Sequence, residues 1–252
     1  MIQVFDGNNV LMRALTDTSL HAANGMNLRF RYNQLQASDI WVFDGHGHNK
    51  RRQEIYPAYK GHRTPPAANI FAQIKLFKEL VRHSPAALIE VVGWEADDVI
   101  GTLARKGAPM TIHTNDLDYA QLLKLPNVTL NGVKTKDIDP RWLPLYKALV
   151  GDPSDNISGI PGFGPKAWLD LQPHLENFER AVQAGRPAAF SAFPVSPRVA
   201  TWLAAPGNIK LLQAMLLITH FFPVPTEELN AGITPGVHNP DAAHELLQRY
   251  LL

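Results

Sequence analysis

The segment IQVFDGNN, residues 2–9, contains the pattern from which the fold can be predicted: a short apolar run that ends in an aspartate and a glycine. The same pattern returns as IWVFDG at residues 40–45. Three more short apolar runs follow, LIEVV, MTIH and VTL, at residues 88–92, 110–113 and 128–130. Runs of this length are typical of buried strands, and we read five of them.

Segments with helical spacing lie between these runs. In FAQIKLFKELVRH, apolar residues recur at intervals that place them on one helical stripe. They are Phe71, Ile74, Phe77, Leu80 and Val81. Strands that alternate with helices predict an α/β fold with a central, mostly parallel sheet flanked by helices.

The pattern of predicted secondary structure changes near residue 140. Beyond it the strand-like runs stop, and short helical segments are separated by Pro and Gly. We therefore predict an α/β part at residues 1–143 and a helical part at residues 144–252.

Composition limits the classes of function. The chain has 252 residues, 45% of them apolar, which supports a buried core. Its net charge is +1, so affinity for a polyanion would require local basic patches. The absence of cysteine excludes a disulfide scaffold, a thiolate nucleophile and a cysteine zinc site. With no basic leader and no bilayer-length apolar run, we expect a soluble intracellular protein with no membrane partner, in the cytoplasm of a bacterial cell or phage-infected host. We also expect a monomer.

Acidic side chains follow four of the predicted strands, at the point where each strand ends. Carboxyl ends of parallel strands meet at one edge of a sheet, so these acids and a later pair are expected to converge. Such a cluster requires protonation or bound cations, and carboxylate oxygens suit Mg²⁺ or Mn²⁺. The alternative is that the acids are solvated helix caps. The set is Asp6, Asp44, Glu95, Asp97, Asp98, Asp116, Asp118, Asp152 and Asp155.

A basic segment, residues 46–63, follows Asp44 and contains a single acid, Glu54. Cations with interleaved aromatic rings suit a nucleic-acid strand, because the charges contact phosphates and the rings stack on bases. The alternative is a solvated basic loop. The segment carries Lys50, Arg51, Arg52, Tyr56, Tyr59, Lys60 and Arg63.

The segment GIPGFGPKA, residues 159–167, is rich in glycine. Its glycines permit tight turns and close approach of a backbone to a phosphate, and its single cation adds to an anion site at a helix start. Such a hairpin binds the duplex backbone without reading bases. A plain connector between helices is the alternative. The residues concerned are Gly159, Gly162, Gly164 and Lys166.

Together, FDGNN, VFDG, YPAYKGHR, EADD, TNDLDYAQLL and GDPSDNISGIPGFGPKA resemble the 5′-nuclease superfamily, which includes phage flap endonucleases, 5′–3′ exonucleases and the 5′-nuclease domain of bacterial DNA polymerase I. The match runs in order from residue 6 to about residue 168. The resemblance implies a PIN-like nuclease core, an arch or gateway at about residues 46–82, and a helix–three-turn–helix element at about residues 146–170 that binds duplex DNA.

The resemblance also implies roles for single residues. Asp6, Asp44, Glu95, Asp97 and Asp98 resemble the ligands of a first metal ion, and Asp116, Asp118, Asp152 and Asp155 resemble a second group. Lys60 and Arg63 match a cationic pair beside the scissile phosphate, and Tyr59 matches a ring that stacks on a nucleotide. Arg51, Arg52 and the Gly-rich hairpin would bind DNA, with K⁺ as a further ion at the helix–three-turn–helix.

The implied function is hydrolysis of DNA near 5′ ends, flaps, nicks and single-strand/duplex junctions by two Mg²⁺ or Mn²⁺ ions, with RNA primers as a further candidate substrate. Two alternatives stay open. One is a different enzyme, either a PIN-type ribonuclease or a haloacid-dehalogenase-like phosphatase; the latter requires an aspartate where this chain has Asn8. The other is a catalytically inactive protein that binds DNA junctions.

Overall fold

The structure, a computed structural model, describes residues 1–16, 24–133 and 138–251 of the chain. Within these ranges the chain forms two compact units, each with a hydrophobic core. None of the helices in this part of the chain combines the length and the apolar composition needed to cross a membrane.

The two units interleave along the sequence. The first, which we call the sheet unit, consists of Met1–His48, Thr64–Thr135 and Phe222–Leu252. The second, the helical unit, consists of Asn49–Arg63 and Lys136–Phe221. The predicted division at residue 143 into a nuclease core and a DNA-binding region concerns function, and it stays a prediction.

Six strands form one sheet in the sheet unit. They are β1 (Ile2–Asp6), β2 (Asp39–Asp44), β3 (Ala87–Val91), β4 (Met110–His113), β5 (Val128–Asn131) and β6 (Ile233–Thr234). Their order is β5-β4-β1-β2-β3-β6, and every neighbouring pair is parallel except β3 and β6. The predicted mostly parallel sheet is confirmed, and each of the five predicted runs forms a strand.

The strand β6 differs from the prediction that strands stop near residue 140. It is two residues long and pairs antiparallel with β3, with Ile233 opposite Ile89. A strand this short carries no periodic pattern, so sequence reasoning has no signal for it.

The α-helices along the described residues are α1 (Gly7–Thr16), α2 (Asn24–Tyr32), α3 (Lys50–Ile55), α4 (Ala68–Arg82), α5 (Ala96–Arg105), α6 (Leu143–Val150), α7 (Pro165–Leu171), α8 (Leu175–Ala184), α9 (Pro197–Ala204), α10 (Asn208–Ile218), α11 (Thr226–Ala231) and α12 (Pro240–Leu251). Short 3₁₀ turns connect several of them, among them Leu117–Lys124 and Pro153–Asp155. The helices α3 and α6 to α10 belong to the helical unit, and the others to the sheet unit.

The core of the sheet unit forms where α1, α2, α4 and α12 pack with the sheet. Trp41 of β2 stacks on Phe5, and the edge of Phe77 from α4 meets the Trp41 ring. The amphipathic helix α5 packs on β1 and β2, with Val99 and Ile100 buried. These layers hold the carboxyl ends of the parallel strands in fixed positions.

One member of the predicted α4 stripe is misplaced. Phe71 is 64% exposed, whereas Leu76, outside the predicted stripe, is buried. Phe71 lies in the first turn of α4, directly after residues 61–69, which are all exposed, so nothing covers it there. The rest of α4 belongs to the sheet-unit core, and the gateway at about residues 46–82 stays a prediction.

The helices of the helical unit share one core; α3 contributes to it through the partly buried Ile55, and Tyr56 and Tyr59 just after α3 join it. Phe178, Phe190 and Phe193 pack edge to face, and the edge of Trp168 from α7 meets Tyr146 of α6. Burial of these rings fixes the geometry of α6 and α7 and of the segment between them, where the helix–three-turn–helix is expected.

Candidate active site

The carboxylates at the ends of β1 and β2 are partly or fully buried and lie close enough to interact. Asp6, the last residue of β1, accepts hydrogen bonds from the Asn9 amide at 3.2 Å and the Thr114 hydroxyl at 3.0 Å. Asp44, the last residue of β2, accepts hydrogen bonds from the Asn8 side chain and, at 2.8 Å, from the amide of Ala96 at the start of α5. The strand ends thus aim acids at one edge, as the parallel sheet predicts.

The raised pKa of Asp6 shows that its charge is destabilised by burial and by the neighbouring acids. Asp6 is only 4% exposed. The pKa of Asp6 is raised from 3.8 to about 7, first by burial and then by the charges of Asp44 and Asp116, against the hydrogen bonds from Asn9 and Thr114. The site therefore favours neutralisation by a proton or by a cation.

The start of α5 adds three acids to the same edge of the sheet. Glu95 is the N-cap residue and is 1% exposed. Asp97 accepts a hydrogen bond from the Tyr119 hydroxyl at 2.8 Å. Burial, and then the charges of Asp6 and Asp97, raise the pKa of Tyr119 well above its ordinary value, which keeps it a hydrogen-bond donor.

One oxygen of Asp98 has a partner within the fold. The buried Asp98 accepts a hydrogen bond from the Phe222 amide at 2.7 Å, and the Thr102 hydroxyl one turn later accepts one from Val224 at 2.9 Å. Asp98 therefore anchors the segment that leads into the C-terminal part of the sheet unit.

The segment after β4 places two further acids. Asp116 is the N-cap of the 3₁₀ turn Leu117–Lys124 and accepts a hydrogen bond from the Asp118 amide at 2.9 Å. Its charge raises the pKa of Asp6, so the two carboxylates are near each other. The sheet unit therefore brings acids from β1, β2, the start of α5 and the end of β4 together, and all of them offer only oxygen to a ligand.

This donor set fits a hard divalent cation. Carboxylate oxygens are what Mg²⁺ and Mn²⁺ prefer, and no histidine or cysteine is among these donors. A bound cation would also remove the repulsion that raises the pKa of Asp6. The geometry of the described residues thus supports divalent-metal binding.

The helical unit carries the remaining two predicted metal ligands. Asp152 accepts a hydrogen bond from Lys147 Nζ at 2.6 Å through one oxygen, and from the amide and hydroxyl of Ser154 through the other. Burial alone would raise the pKa of Asp152, but the Lys147 charge and the Ser154 hydrogen bonds hold it below its usual range. Sequence reasoning missed Lys147; its position five residues before Asp152 was the available signal.

Asp155 contacts both predicted catalytic cations of the helical unit, Arg63 through its side chain and Lys60 through its backbone. Its Oδ1 accepts a hydrogen bond from Arg63 at 2.7 Å, and its carbonyl accepts one from the Lys60 amide at 3.0 Å. Burial raises the pKa of Asp155 although Lys60 and Arg63 oppose it. Asn156, in a left-handed conformation, donates to the carbonyl of Ala58 at 2.7 Å, so residues 58–63 and the 3₁₀ turn Pro153–Asp155 form one joined structure.

Lys60 has a left-handed backbone conformation, and the neighbouring Tyr59 is buried. Lys60 has a φ of 52°, a conformation that costs free energy for a residue with a side chain. Its Nζ lies 4.9 Å from the centre of the Tyr59 ring. Tyr59 is 2% exposed and belongs to the helical-unit core, so stacking on a nucleotide, its predicted role, would require the ring to leave that core.

The basic segment separates into exposed and buried cations. Arg51 is exposed, as a DNA-binding residue should be. Arg52 is 3% exposed, and its guanidinium donates to the carbonyls of Ile218 and His220 at 3.0 and 3.1 Å. The guanidinium thus caps the C-terminus of α10, and the predicted contact of Arg52 with DNA, which stays a prediction, would require it to leave these carbonyls.

The Gly-rich hairpin packs against the end of α6. A Cβ on Gly159, which has a φ of 66°, would lie 2.5 Å from the Gly151 nitrogen, so glycine is required there. The Ile160 amide donates to the Leu149 carbonyl at 2.8 Å. Gly162 and Lys166 stay exposed, Gly164 is the N-cap of α7, and Phe163 anchors the hairpin in the core.

Sequence reasoning also missed the residues that hold the acids in place. Asn8, Thr114 and Tyr119 each donate a hydrogen bond to a carboxylate of the sheet-unit cluster. All three lie within two residues of a predicted acid or in the same motif, so a search of the motif neighbours for hydrogen-bond donors would have found them.

Comparison with known proteins assigns the chain to a family. The family model described as 5′–3′ exonuclease, N-terminal resolvase-like domain, matches residues 2–144. The DNA polymerase I of Caldicellulosiruptor bescii is 32% identical over 257 residues, covering 82% of this chain and 30% of that protein. A 5′–3′ exonuclease of Aquifex aeolicus is 34% identical over 147 residues, covering 52% of this chain and 50% of that protein. The chain thus spans half or less of the length of these relatives.

Solved structures of a bacteriophage T5 protein share the fold. The T5 5′-exonuclease with bound zinc ions has a TM-score of 0.64 and 19% identity, covering 99% of this chain and 98% of that chain. The T5 flap endonuclease in complex with DNA and metal ions has a TM-score of 0.59 and 18% identity, covering 99% and 97%. At this identity the likeness shows the fold alone. Because the family model spans more than half of the sequence, the chain belongs to the family of the 5′–3′ exonuclease N-terminal resolvase-like domain.

Proposed function

We propose that this protein is a structure-specific 5′-nuclease that hydrolyses DNA phosphodiesters near 5′ ends, at flaps, nicks and single-strand/duplex junctions. The observation that carries the proposal is the cluster of buried acids at the carboxyl ends of the sheet-unit strands, with the pKa of Asp6 raised to about 7. Family membership supports it, as does the relative named 5′–3′ exonuclease.

The sheet-unit acids would hold a divalent cation, which we propose is Mg²⁺ or Mn²⁺. Asp6, Asp44, Glu95, Asp97 and Asp98 would be the ligands of a first ion. By resemblance, a second ion would take Asp116, Asp118, Asp152 and Asp155. Ions of this kind activate water as a nucleophile and neutralise charge on a phosphoryl group.

The protein's own cations would stabilise the charge that develops on the scissile phosphate. Lys60 and Arg63 have the required charge. The Asp155 carbonyl holds the backbone of Lys60, and Asp155 and Ser154 hold the guanidinium of Arg63. Cations placed before the reaction begins need no reorganisation in the transition state. Tyr59 would support Lys60 through the ring contact, and its stacking on a nucleotide stays a proposal.

The helical unit would bind the duplex. Its hairpin presents Gly162, Gly164 and Lys166 toward solvent, and Arg51 adds an exposed cation in the basic segment. Contacts of this kind position DNA without reading its sequence. We also propose K⁺ as an ion of the helix–three-turn–helix, RNA primers as a further substrate, a monomeric state and a cytoplasmic location.

A single cleavage assay tests the proposal. Labelled 5′-flap, nicked and blunt DNA and hairpin RNA are incubated with Mg²⁺ or with EDTA. We expect cleavage of flap and nicked DNA with Mg²⁺ and none with EDTA. Binding of the flap without cleavage would favour the inactive junction-binding protein, and preferred cleavage of the hairpin RNA would favour a PIN-type ribonuclease.

A further inference from the structure

The helix α9 places an arginine directly on the Gly-rich hairpin. A Cβ built on Gly162 would lie 3.0 Å from Cδ and 3.4 Å from Nε of Arg198. The buried side chains of Ile160 and Phe163 anchor the hairpin in the core of the helical unit, while Gly162 and Arg198 are both exposed. A residue 36 positions further along the chain therefore covers the tip of the hairpin, with no side chain of the glycine between them.

Arg198 has no partner that explains its position. Its guanidinium makes no hydrogen bond or ion pair with any other residue in the described part of the chain. It lies in the first turn of α9, after the N-cap Ser196, where the helix dipole disfavours a cation. Lys166, in the first turn of α7 after the hairpin, likewise has neither kind of partner among the described residues. Neither cation is therefore held there by a hydrogen bond or an ion pair among the described residues.

We propose that Arg198 is a DNA-binding residue that contacts the phosphate backbone of the duplex together with the hairpin. The missing side chain at Gly162 leaves room for the Arg198 side chain to lie on the hairpin, and the exposed guanidinium there supplies donors that suit two phosphate oxygens at once. The hairpin and the start of α9 then form one phosphate-binding surface built from two distant parts of the sequence. The inference rests on the proposed function, because it assigns a residue to the duplex-binding step of the same enzyme.

A matched pair of variants tests the inference. Arg198→Gln removes the charge that lies on the hairpin. The control, Arg180→Gln, removes an equal charge from α8; Arg180 lines a cavity with Arg141 and Trp142, at the opposite end of α6 from the hairpin. Binding of a labelled flap duplex is measured in EDTA over a series of KCl concentrations, and cleavage is measured separately with Mg²⁺ at saturating DNA.

We expect Arg198→Gln to weaken binding about five- to tenfold at low salt and to lower the slope of log K against log [KCl] by about 0.9, the value for one phosphate contact. The affinity of Arg198→Lys should lie between that of the unaltered protein and that of Arg198→Gln, because lysine keeps the charge but loses the paired donors. Arg180→Gln should bind like the unaltered protein, and the unfolding temperature and the cleavage rate at saturation should not change in Arg198→Gln.

Equal affinity and equal salt slope in Arg198→Gln and Arg180→Gln would overturn the inference, and so would a failure of the unaltered protein to bind duplex DNA. Normal binding by the unaltered protein without cleavage would contradict the nuclease proposal instead, while the comparison of the two arginine variants would still decide the role of Arg198.

Discussion

The two units of this chain carry opposite charge. The sheet unit has 11 Lys and Arg against 15 Asp and Glu, a net charge of −4, and the helical unit has 13 against 8, a net charge of +5. Together they give the +1 of the whole chain. The near-neutral total therefore hides two surfaces of different chemistry, one suited to cations and one to a polyanion.

The difference also appears in how each unit treats its acids. In the sheet unit the cluster around Asp6 lies among other acids, and its charge is left for a proton or an ion to neutralise. In the helical unit Asp152 and Asp155 are each paired with a cation of the same unit, Lys147 and Arg63. Similar carboxylates thus lie in opposite electrostatic environments. Removing a sheet-unit carboxylate should therefore affect metal binding and cleavage, whereas breaking the Lys147–Asp152 pair of the helical unit should affect stability.

The largest effect is expected from removing a sheet-unit carboxylate. Asp116→Asn should lower the cleavage rate by about a thousandfold while DNA binding survives, because the lost charge belongs to metal binding and not to phosphate contact. Single-turnover cleavage and binding in EDTA measure the two properties, with the exposed Asp241→Asn of α12 as the control. Normal turnover in Asp116→Asn would contradict the proposed role of the sheet-unit acids in metal binding.

In the helical unit, Lys147→Met should act on stability. The pair with Asp152 is buried, and removing one partner leaves an uncompensated charge, so we expect a loss of about 3 kcal/mol in the free energy of unfolding at pH 7. The lowered pKa of Asp152 means that this pairing stabilises the fold above pH ~4, and the contribution is lost as the pH falls through the folded pKa.

Chemical denaturation of Lys147→Met and of the double variant with Asp152→Asn measures this effect. The double variant should recover part of the loss, and the gap between Lys147→Met and the unaltered protein should narrow as the pH is lowered toward 3. A gap that is absent at pH 7, or that widens in acid, would show that Asp152 does not depend on Lys147.

Lys60→Ala should affect chemistry without affecting metal binding. Loss of its charge beside the scissile phosphate should slow single-turnover cleavage by about a hundredfold. The matched control is Lys50→Ala, an exposed cation of α3 in the same basic segment. If both variants cleave at the same rate, Lys60 contributes only general charge to the helical unit.

The smallest effect expected is a gain in stability. In EDTA at pH 8, Asp6→Asn should raise the free energy of unfolding by about 1–2 kcal/mol, because it removes a buried charge next to Asp44. A raised carboxyl pKa destabilises the fold increasingly as the pH rises from 3.8 to about 7, so the gain should be smaller at pH 5. Urea unfolding at both pH values checks this, and a larger gain at pH 5 would contradict it.

Sequence reasoning recovered the sheet and its acids because both depend on local signals. Short apolar runs predict strands, and parallel pairing brings their carboxyl ends together, so Asp6 and Asp44 could be expected to meet. The glycine requirement of the hairpin was also local.

Contacts between distant parts of the chain could not be predicted in this way. The basic segment treats Arg51 and Arg52 alike, and only the carbonyls of Ile218 and His220, more than 160 residues away, decide that Arg52 is buried. Arg198 lies in an unremarkable helical segment, and only folding places it on Gly162. Burial of Tyr59 likewise depends on helices that follow it by 80 residues or more.

Counting bound Mn²⁺ by electron paramagnetic resonance tests the central claim most directly, since free and protein-bound Mn²⁺ give different signals. At pH 7.5 and without DNA, the unaltered protein should bind Mn²⁺, and Asp6→Asn and Asp116→Asn should each lose affinity about tenfold or more, while Asp241→Asn binds like the unaltered protein. Equal Mn²⁺ binding by all four proteins would contradict the account, because the buried acids of the sheet unit would then have no part in holding a metal.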